Sequence, residues 1–252
     1  MAKGSLGGRR GALNLFQAPT SNVPGANASP LTDADADAIR KQEDSAYDAN
    51  TTAAVKMYIS NTNFDGKGHS LSQAMNYALD EGVDWNQPLS QINAQLGTNF
   101  TANDIASMQY TDAYLQAAAH PIGRDVVLQR GAHDDVLKKL GIANYERFTE
   151  AQLQQKLAGK TIKTTSFMST SYDVTKNPFL SSASGVSGGR EVVLNIKAGA
   201  QTRCVFGAKK QSEIVLAKGT DFVIKRVRYT GNTVTPRGGR SRRQIVIDIE
   251  TY

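Results

Sequence analysis

The stretch that decides the fold is Lys209-Lys210-Gln211-Ser212-Glu213-Ile214-Val215-Leu216, near the C-terminal end of the chain. Its last three residues are apolar and are typical of a buried strand. Gln211 and Glu213 are two residues apart, so in an extended chain their side chains leave the same face. The stretch therefore predicts a strand whose leading edge presents an amide and a carboxylate. Such a pair alone carries little information, because most pairs of this kind lie on solvated strands.

Two upstream stretches show the same pattern. Residues 126–131 read VVLQRG and residues 166–171 read SFMSTS. Each is predicted to be an apolar strand that ends in polar residues. The polar groups follow one another along the chain as Arg130, then Ser169-Thr170-Ser171, then Gln211 with Glu213.

This ordered set resembles the Arg/Ser-Thr-Ser/Glu class of mono-ADP-ribosyltransferases. It is most similar to the Gln-x-Glu branch, typified by the clostridial Rho-modifying exoenzymes, and the resemblance covers residues 53–251. Residues 189–196, GREVVLNI, resemble the strand that follows the phosphate-nicotinamide loop of the family. Residues 66–71, GKGHSL, resemble its helical lead-in. Each motif is weak alone, and their order and spacing make the resemblance specific.

The resemblance implies cleavage of NAD at the nicotinamide-ribose bond and transfer of ADP-ribose to a protein side chain. NAD would be consumed as a substrate, since no G-x-G-x-x-G motif follows a strand to hold it as a hydride carrier. The transition state of this reaction is an oxocarbenium ion, which a fixed carboxylate stabilises; Glu213 is assigned that role. Gln211 would orient the acceptor, and an amide there favours a neutral Asn or Gln acceptor over arginine.

The resemblance assigns the dinucleotide to Arg130, Gly131, Ser169, Thr170, Ser171 and Arg190. The planar guanidinium of Arg130 matches phosphate oxygens. Ser169 is also assigned to catalysis, because its hydroxyl would hold Glu213 and the ribose, whereas Thr170 and Ser171 would stabilise the local backbone. Arg190 follows the loop 179–189 and is predicted either to clamp the dinucleotide or to form a salt bridge. Phe206 is predicted either to contact the acceptor protein or to pack in the core. The loop that follows it looks shorter than in the Rho-modifying enzymes, so a Rho target is left open.

Helical periodicity in the first half and strand patterns in the second predict an α+β fold. We expect a flexible basic tail at 1–30, a helical layer at 31–120, and a two-sheet, mainly antiparallel β core at 121–252. Thr32, Ser70 and Thr101 are predicted to begin helices as capping residues. Further helices are predicted at 134–140 and 149–157. The strand candidates are 126–130, 164–168, 190–197, 202–206, 212–217, 221–229 and 244–250.

Composition excludes several other classes of protein. The single cysteine, Cys204, rules out a disulfide within the chain, and His69, His120 and His133 lack the spacing of a metal site, so no metal is expected. No apolar run is long enough to span a membrane, and residues 1–17 do not read as a Sec signal. We therefore expect a monomer that is cytoplasmic, delivered by a specialised system, or carried in a virion.

The net charge of +6 is concentrated at the two ends of the chain. The tail 1–30 and the basic turn 237–243 could contact an assembly or a nucleic acid, or could simply be solvated. Two functions besides protein modification are left open by the sequence. One is NAD glycohydrolysis, in which water replaces the acceptor. The other is a virion- or secretion-associated structural protein that retains the transferase fold.

Overall fold

The structure is a computed structural model that describes residues 30–66, 68–173, 190–235 and 239–252. The predicted tail, apart from Pro30, and the predicted loop 179–189 lie outside these residues, as do positions 237 and 238 of the basic turn. None of the helices in the described part of the chain has the length and apolar character needed to cross a membrane.

Helices occupy the first half of the described chain, and short helices also separate the early strands. The first five are α1 (Asp33–Ala46), α2 (Ala49–Ile59), α3 (Leu71–Asp80), α4 (Leu89–Leu96) and α5 (Ala102–Ala118), followed later by α6 (Asp135–Lys139) and α7 (Glu150–Leu157). Thr32, Ser70, Thr101 and Thr149 each cap a helix with a reciprocal side-chain and backbone box. The helix starts predicted from the capping residues are confirmed, because this signal is local to a few residues.

The strands, in chain order, are β1 (His120–Pro121), β2 (Val126–Ala132), β3 (Thr161–Lys163), β4 (Met168–Ser171), β5 (Val192–Ala198), β6 (Arg203–Phe206), β7 (Glu213–Leu216), β8 (Asp221–Val234) and β9 (Arg242–Thr251). They are hydrogen-bonded in the order β1-β6-β7-β4-β2-β5-β9-β8-β3. Among the described strands only β5 and β9 run parallel. The predicted α+β, mainly antiparallel fold is confirmed.

Among the described residues, a single residue pair joins the two portions of the sheet. Between β4 and β2 the register contains only Ser171 opposite Gln129, whereas β2 and β5 are paired along seven positions from Val126 to Ala132. The two predicted sheets are therefore two portions of one hydrogen-bonded sheet. One hydrophobic cluster contains residues of β2, β5 and β9 and extends to Ile214 and Leu216 of β7. The other is centred on the helices α2, α3 and α5, which pack on the opposite face of β7 at Val215.

The strand predicted at 164–168 is wrong, because the strand there begins only at Met168. The Phe167 N–H donates to the Asn76 side chain at 3.2 Å instead of to a neighbouring strand. Thr164 caps the turn before β8 by accepting from the Thr220 N–H at 3.0 Å. The Ser-Thr-Ser stretch consequently forms the body of β4 and does not follow its end. Arg130 and Gly131 likewise lie within β2.

Candidate active site

Glu213 is the first residue of β7 and is 2% exposed. Its carboxylate accepts a hydrogen bond from the Ala208 N–H at 2.9 Å, and across the sheet it lies opposite Ser171. Burial raises the pKa of Glu213 above its ordinary value; the Ala208 N–H, the Ser169 hydroxyl and the Arg130 charge each oppose that rise. The chain therefore holds a buried carboxyl group among partners that favour its ionised form.

Gly207 provides the space for that carboxylate. A Cβ built on Gly207 would lie 2.4 Å from Glu213 Oε2 and 2.7 Å from its Cδ, which is far inside van der Waals contact. The Gly207 N–H also donates to the main-chain carbonyl of Glu213 at 3.0 Å, so the two residues are in contact through both side chain and backbone. No pattern in the sequence indicates Gly207, because the need for a residue without a side chain at this position arises only in the folded chain.

Gln211 and Glu213 do not alternate along a strand as predicted. Gln211 ends a short 3₁₀ turn (Lys209–Gln211), and Ser212 has a left-handed backbone with φ 49° and ψ 39°. The prediction that both side chains leave one strand face is wrong, because strand periodicity holds only for extended backbone. Glu213 is buried, whereas Gln211 is partly exposed, and its side-chain amide makes no hydrogen bond to any described residue.

Ser169 is linked to two helices that cover this part of the sheet. The Tyr58 hydroxyl, on α2, lies 3.3 Å from Ser169 Oγ. Asn76, on α3, donates from its amide to the Tyr58 oxygen at 3.1 Å. Tyr58 lies in the predicted helical layer 31–120, but the sequence gave no sign of a polar role for its hydroxyl. A chain of hydrogen bonds thus runs from α3 through α2 to Ser169, and the Ser169 hydroxyl lowers the pKa of Glu213.

The other two hydroxyls of the Ser-Thr-Ser stretch bond to main-chain carbonyls. Thr170 donates to Ile214 O at 2.7 Å. Ser171 donates to Gln211 O at 3.1 Å and to Asp173 O at 3.0 Å. The Thr170 bond ties β4 to β7, and the Ser171 bond to Gln211 ties β4 to the turn that precedes Glu213.

Arg130 extends from β2 to the adjoining strand β4, where its Nη1 donates to the Ser169 carbonyl at 2.9 Å. Burial lowers the pKa of Arg130, and Glu213 counteracts this as one of several favourable charges. The structure therefore brings together Arg130, Ser169 and Glu213, although they are far apart in the sequence.

Arg190 is a second buried cation near Arg130. Burial lowers the pKa of Arg190 to about 10; the Arg130 charge lowers it further, and Glu191 opposes the shift. Both arginines also take part in other interactions within the protein. Gly131 is buried in β2, opposite Val193. Two guanidinium groups that repel each other create a positive potential. Such a potential is expected at a site that binds a group with two negative charges.

The chain belongs to the ADP-ribosyltransferase exoenzyme family, whose model matches residues 61–252. The class and enzyme type predicted from the sequence are thereby confirmed. No curated protein matches the chain by sequence. Across the described ranges, no cluster of three or more His, Cys, Asp or Glu residues could hold a metal ion.

Solved structures with a similar fold include ADP-ribosyltransferase toxins and toxin components. C3stau2 from S. aureus, solved with NAD, is 17% identical with a TM-score of 0.55, covering 90% of this chain and 99% of that chain. Plx2a, an ADP-ribosyltransferase toxin from Paenibacillus larvae, is 13% identical with a TM-score of 0.56 and the same coverage, 90% and 99%. The C2-I component of the C2-toxin from Clostridium botulinum is 17% identical with a TM-score of 0.55, covering 88% of this chain. This chain spans 47% of the C2-I chain.

Proposed function

We propose that this protein cleaves NAD at the nicotinamide-ribose bond and transfers ADP-ribose to a neutral polar side chain of a protein acceptor. The observation that carries the proposal is the Glu213 carboxylate, buried beside Gly207 and held by the Ala208 N–H at 2.9 Å. A carboxylate fixed in advance stabilises a developing oxocarbenium ion without the reorganisation that a mobile group would need.

Arg130 and Arg190 provide the second requirement of the reaction, which is binding of the diphosphate of NAD. Arg130 is already oriented by the Ser169 carbonyl, and Arg190 lies near it, two residues before β5. A diphosphate would relieve the repulsion between the two cations, so binding energy from this remote part of the substrate can position the scissile bond.

Gln211 supports a neutral acceptor. Its backbone is fixed, because its N–H donates to Ala208 O at 3.0 Å and its carbonyl accepts from Ser171 at 3.1 Å. Its amide both donates and accepts hydrogen bonds, which suits it to orient an Asn or Gln amide. An arginine acceptor would instead call for a carboxylate at this position.

The first experiment is incubation of the protein with labelled NAD and host lysate, compared with Glu213→Gln. We expect label on a protein only with the unaltered enzyme, and a loss of NAD cleavage of at least about 10²-fold in the variant. Glu250→Gln on β9 is the matched control and should retain full activity. Equal labelling by the Glu213→Gln variant would refute the role of Glu213.

Mass spectrometry of the labelled protein tests the acceptor. ADP-ribose on an Asn or Gln side chain is the expected result, and an adduct on arginine would overturn the acceptor assignment. Free ADP-ribose with no protein adduct would identify the protein as an NAD glycohydrolase.

We further propose that the basic tail 1–30 and the basic turn 237–243 serve delivery or anchoring to an assembly or nucleic acid, and that the catalytic part acts as a monomer. Deletion of residues 1–30 should leave NAD cleavage intact and abolish association or delivery. Loss of NAD cleavage in the deletion variant would contradict this division of roles.

A further inference from the structure

One face of α1 lies against the end of β6. Arg40 and Glu43 are three residues apart, so their side chains lie on the same side of the helix. Glu43 Oε1 accepts a hydrogen bond from the Phe206 N–H at 3.0 Å, and the Arg40 guanidinium lies 5.6 Å from the centroid of the Phe206 ring. Phe206 is 3% exposed and belongs to a hydrophobic cluster. Of the two roles predicted for Phe206, the structure therefore supports packing in the core.

Asp37 lies on the same face of α1 and contacts the turn Lys209–Gln211. Its Oδ2 accepts from Lys209 Nζ at 2.6 Å, and its Oδ1 accepts from Arg40 Nη1 at 3.3 Å. The hydrogen bond from Lys209 is the largest of the causes that lower the pKa of Asp37, so the carboxylate is ionised at neutral pH. A charged contact thus ties α1 to the first residue of the turn.

The Gln211 amide and the Glu213 carboxylate depend on different contacts. Glu213 is fixed by the pairing of β7 with β4 and by the Ala208 N–H, which donates to its carboxylate at 2.9 Å. The Gln211 side-chain amide makes no hydrogen bond to any described residue, so its position follows the turn that carries it. A looser hold on Lys209 would consequently disturb the Gln211 amide more than the Glu213 carboxylate.

We propose that α1 determines how much ADP-ribose reaches a protein acceptor instead of water, because Asp37 holds, through Lys209, the turn that presents Gln211. This inference rests on the proposed function, in which Gln211 orients the acceptor amide. α1 precedes residues 61–252, which the family model matches. The contact therefore joins the matched region to a helix outside it.

The two outcomes share their first step and differ in the group that completes the reaction. In both, the bond between the ribose carbon and nicotinamide breaks, and nicotinamide leaves with the electron pair. The ribose carbon then bonds either to the acceptor nitrogen or to a water oxygen, and the incoming group loses one proton to solvent. A protein side chain must be oriented for this step, whereas water is abundant and needs little orientation. A less restrained Gln211 amide therefore lowers transfer and leaves hydrolysis intact.

The test measures both products in one reaction. The full-length protein is incubated with host lysate and NAD labelled in its adenosine part, and protein-bound label and free ADP-ribose are counted separately. Asp37→Asn should lower the ratio of bound to free label about two- to fivefold, which corresponds to the usual strength of an exposed ion pair. Lys209→Met should have the same effect. Nicotinamide release without lysate should be unchanged in both variants.

Exchange of the two charges separates positioning from direct contact with the acceptor. Asp37→Lys combined with Lys209→Asp restores an ion pair of the same total length, and the ratio should return most of the way to that of the unaltered protein. If Lys209 contacted the acceptor itself, Lys209→Met would lower the ratio, Asp37→Asn would not, and the exchange would restore nothing. That pattern would overturn the proposal, as would nicotinamide release that falls in step with protein labelling.

Arg124→Gln is the matched control. It removes another exposed ion pair of α1, in which Arg124 Nη1 donates to Asp35 Oδ2 at 3.2 Å, and it leaves the turn untouched. The ratio should stay the same, and a fall as large as in Asp37→Asn would overturn the specific role of Asp37.

Failure of this inference can be told apart from failure of the proposed function. If the unaltered protein releases nicotinamide but labels no protein, the proposed transfer is refuted and this inference with it. Protein labelling with an unchanged ratio in Asp37→Asn overturns this inference alone. Because Asp37→Asn and Lys209→Met break the same contact from opposite ends, either variant keeps the test decisive if the other fails to fold.

Discussion

Substitution of Gly207 by alanine tests whether the position of the Glu213 carboxylate matters for the reaction. The added Cβ would lie 2.4, 2.7 and 2.8 Å from Oε2, Cδ and Cγ of Glu213. Real Cβ contacts are near 3.4 Å or more, so the carboxylate would have to move by about 1 Å. That movement would break or lengthen the 2.9 Å bond from the Ala208 N–H.

We expect Gly207→Ala to lower kcat for NAD cleavage about 10²-fold, which is the usual effect of a 1 Å misplacement of a catalytic group. KM should change less, because Arg130 and Arg190 are untouched. The stability loss should be about 1 to 3 kcal/mol from overpacking. The assay is steady-state release of nicotinamide, together with denaturant unfolding to confirm that the variant is folded under the assay conditions.

Gly199→Ala is the matched control. Its Cβ would meet Thr251 Oγ1 at 3.5 Å and Asp125 Oδ1 at 3.9 Å, both ordinary contacts. Activity should therefore be unchanged. Unaltered kcat in a folded Gly207→Ala variant would refute the argument that Gly207 positions Glu213.

Three further predictions concern groups in or near the site. Tyr58→Phe removes the hydroxyl that contacts Ser169 at 3.3 Å and should lower kcat/KM about two- to tenfold, measured in the same assay. Glu213 has a raised pKa in the folded state, so folding takes up a proton between the ordinary value of 4.5 and the raised value. Thermal unfolding should show stability falling as pH rises through that window, with a flatter profile in Glu213→Gln. His120 has a raised pKa because of its bond to Glu43 at 2.7 Å; its contribution to stability should be complete below 6.5 and lost as pH rises through the folded pKa, and His120→Gln should abolish this dependence.

Each of these predictions has an outcome that would contradict it. An unchanged kcat/KM in Tyr58→Phe would show that the hydroxyl does not support Ser169. Identical pH profiles for the unaltered protein and Glu213→Gln would show that burial does not shift the carboxyl group. Stability that is independent of pH above 6.5 in both the unaltered protein and His120→Gln would show that the ion pair with Glu43 does not stabilise the fold.

Local signals in the sequence predicted local structure well. Thr32, Ser70 and Thr101 were identifiable as helix starts because a cap involves residues only three positions apart. The order Arg130, Ser169 and Glu213 indicated the family, and the structure brings these residues together. In both cases the information lies in residue type and spacing, which the sequence shows directly.

The features that a sequence does not show depend on backbone conformation and strand order. The spacing of Gln211 and Glu213 predicted a shared face, but the left-handed Ser212 between them ends the periodicity. Gly207 is required only because a carboxylate six residues later folds back onto it. The alignment of Glu213, Ser171 and Gln129 across the sheet depends on the strand order β7-β4-β2-β5-β9, in which no two neighbours are consecutive in the chain.

The parting of the two sheet portions explains why the site forms where it does. A continuous ladder between β4 and β2 would have paired the Ser169 carbonyl with a backbone N–H, since strands in register satisfy their own main-chain groups. With only the pair Ser171 and Gln129 in register, that carbonyl accepts from the Arg130 side chain instead. The Arg130 guanidinium is thereby held beside β4, one strand from Glu213. Continuous pairing of β4 with β2 would leave no free carbonyl to hold it there. The single joining pair is consequently as much a part of the site as the charged groups themselves.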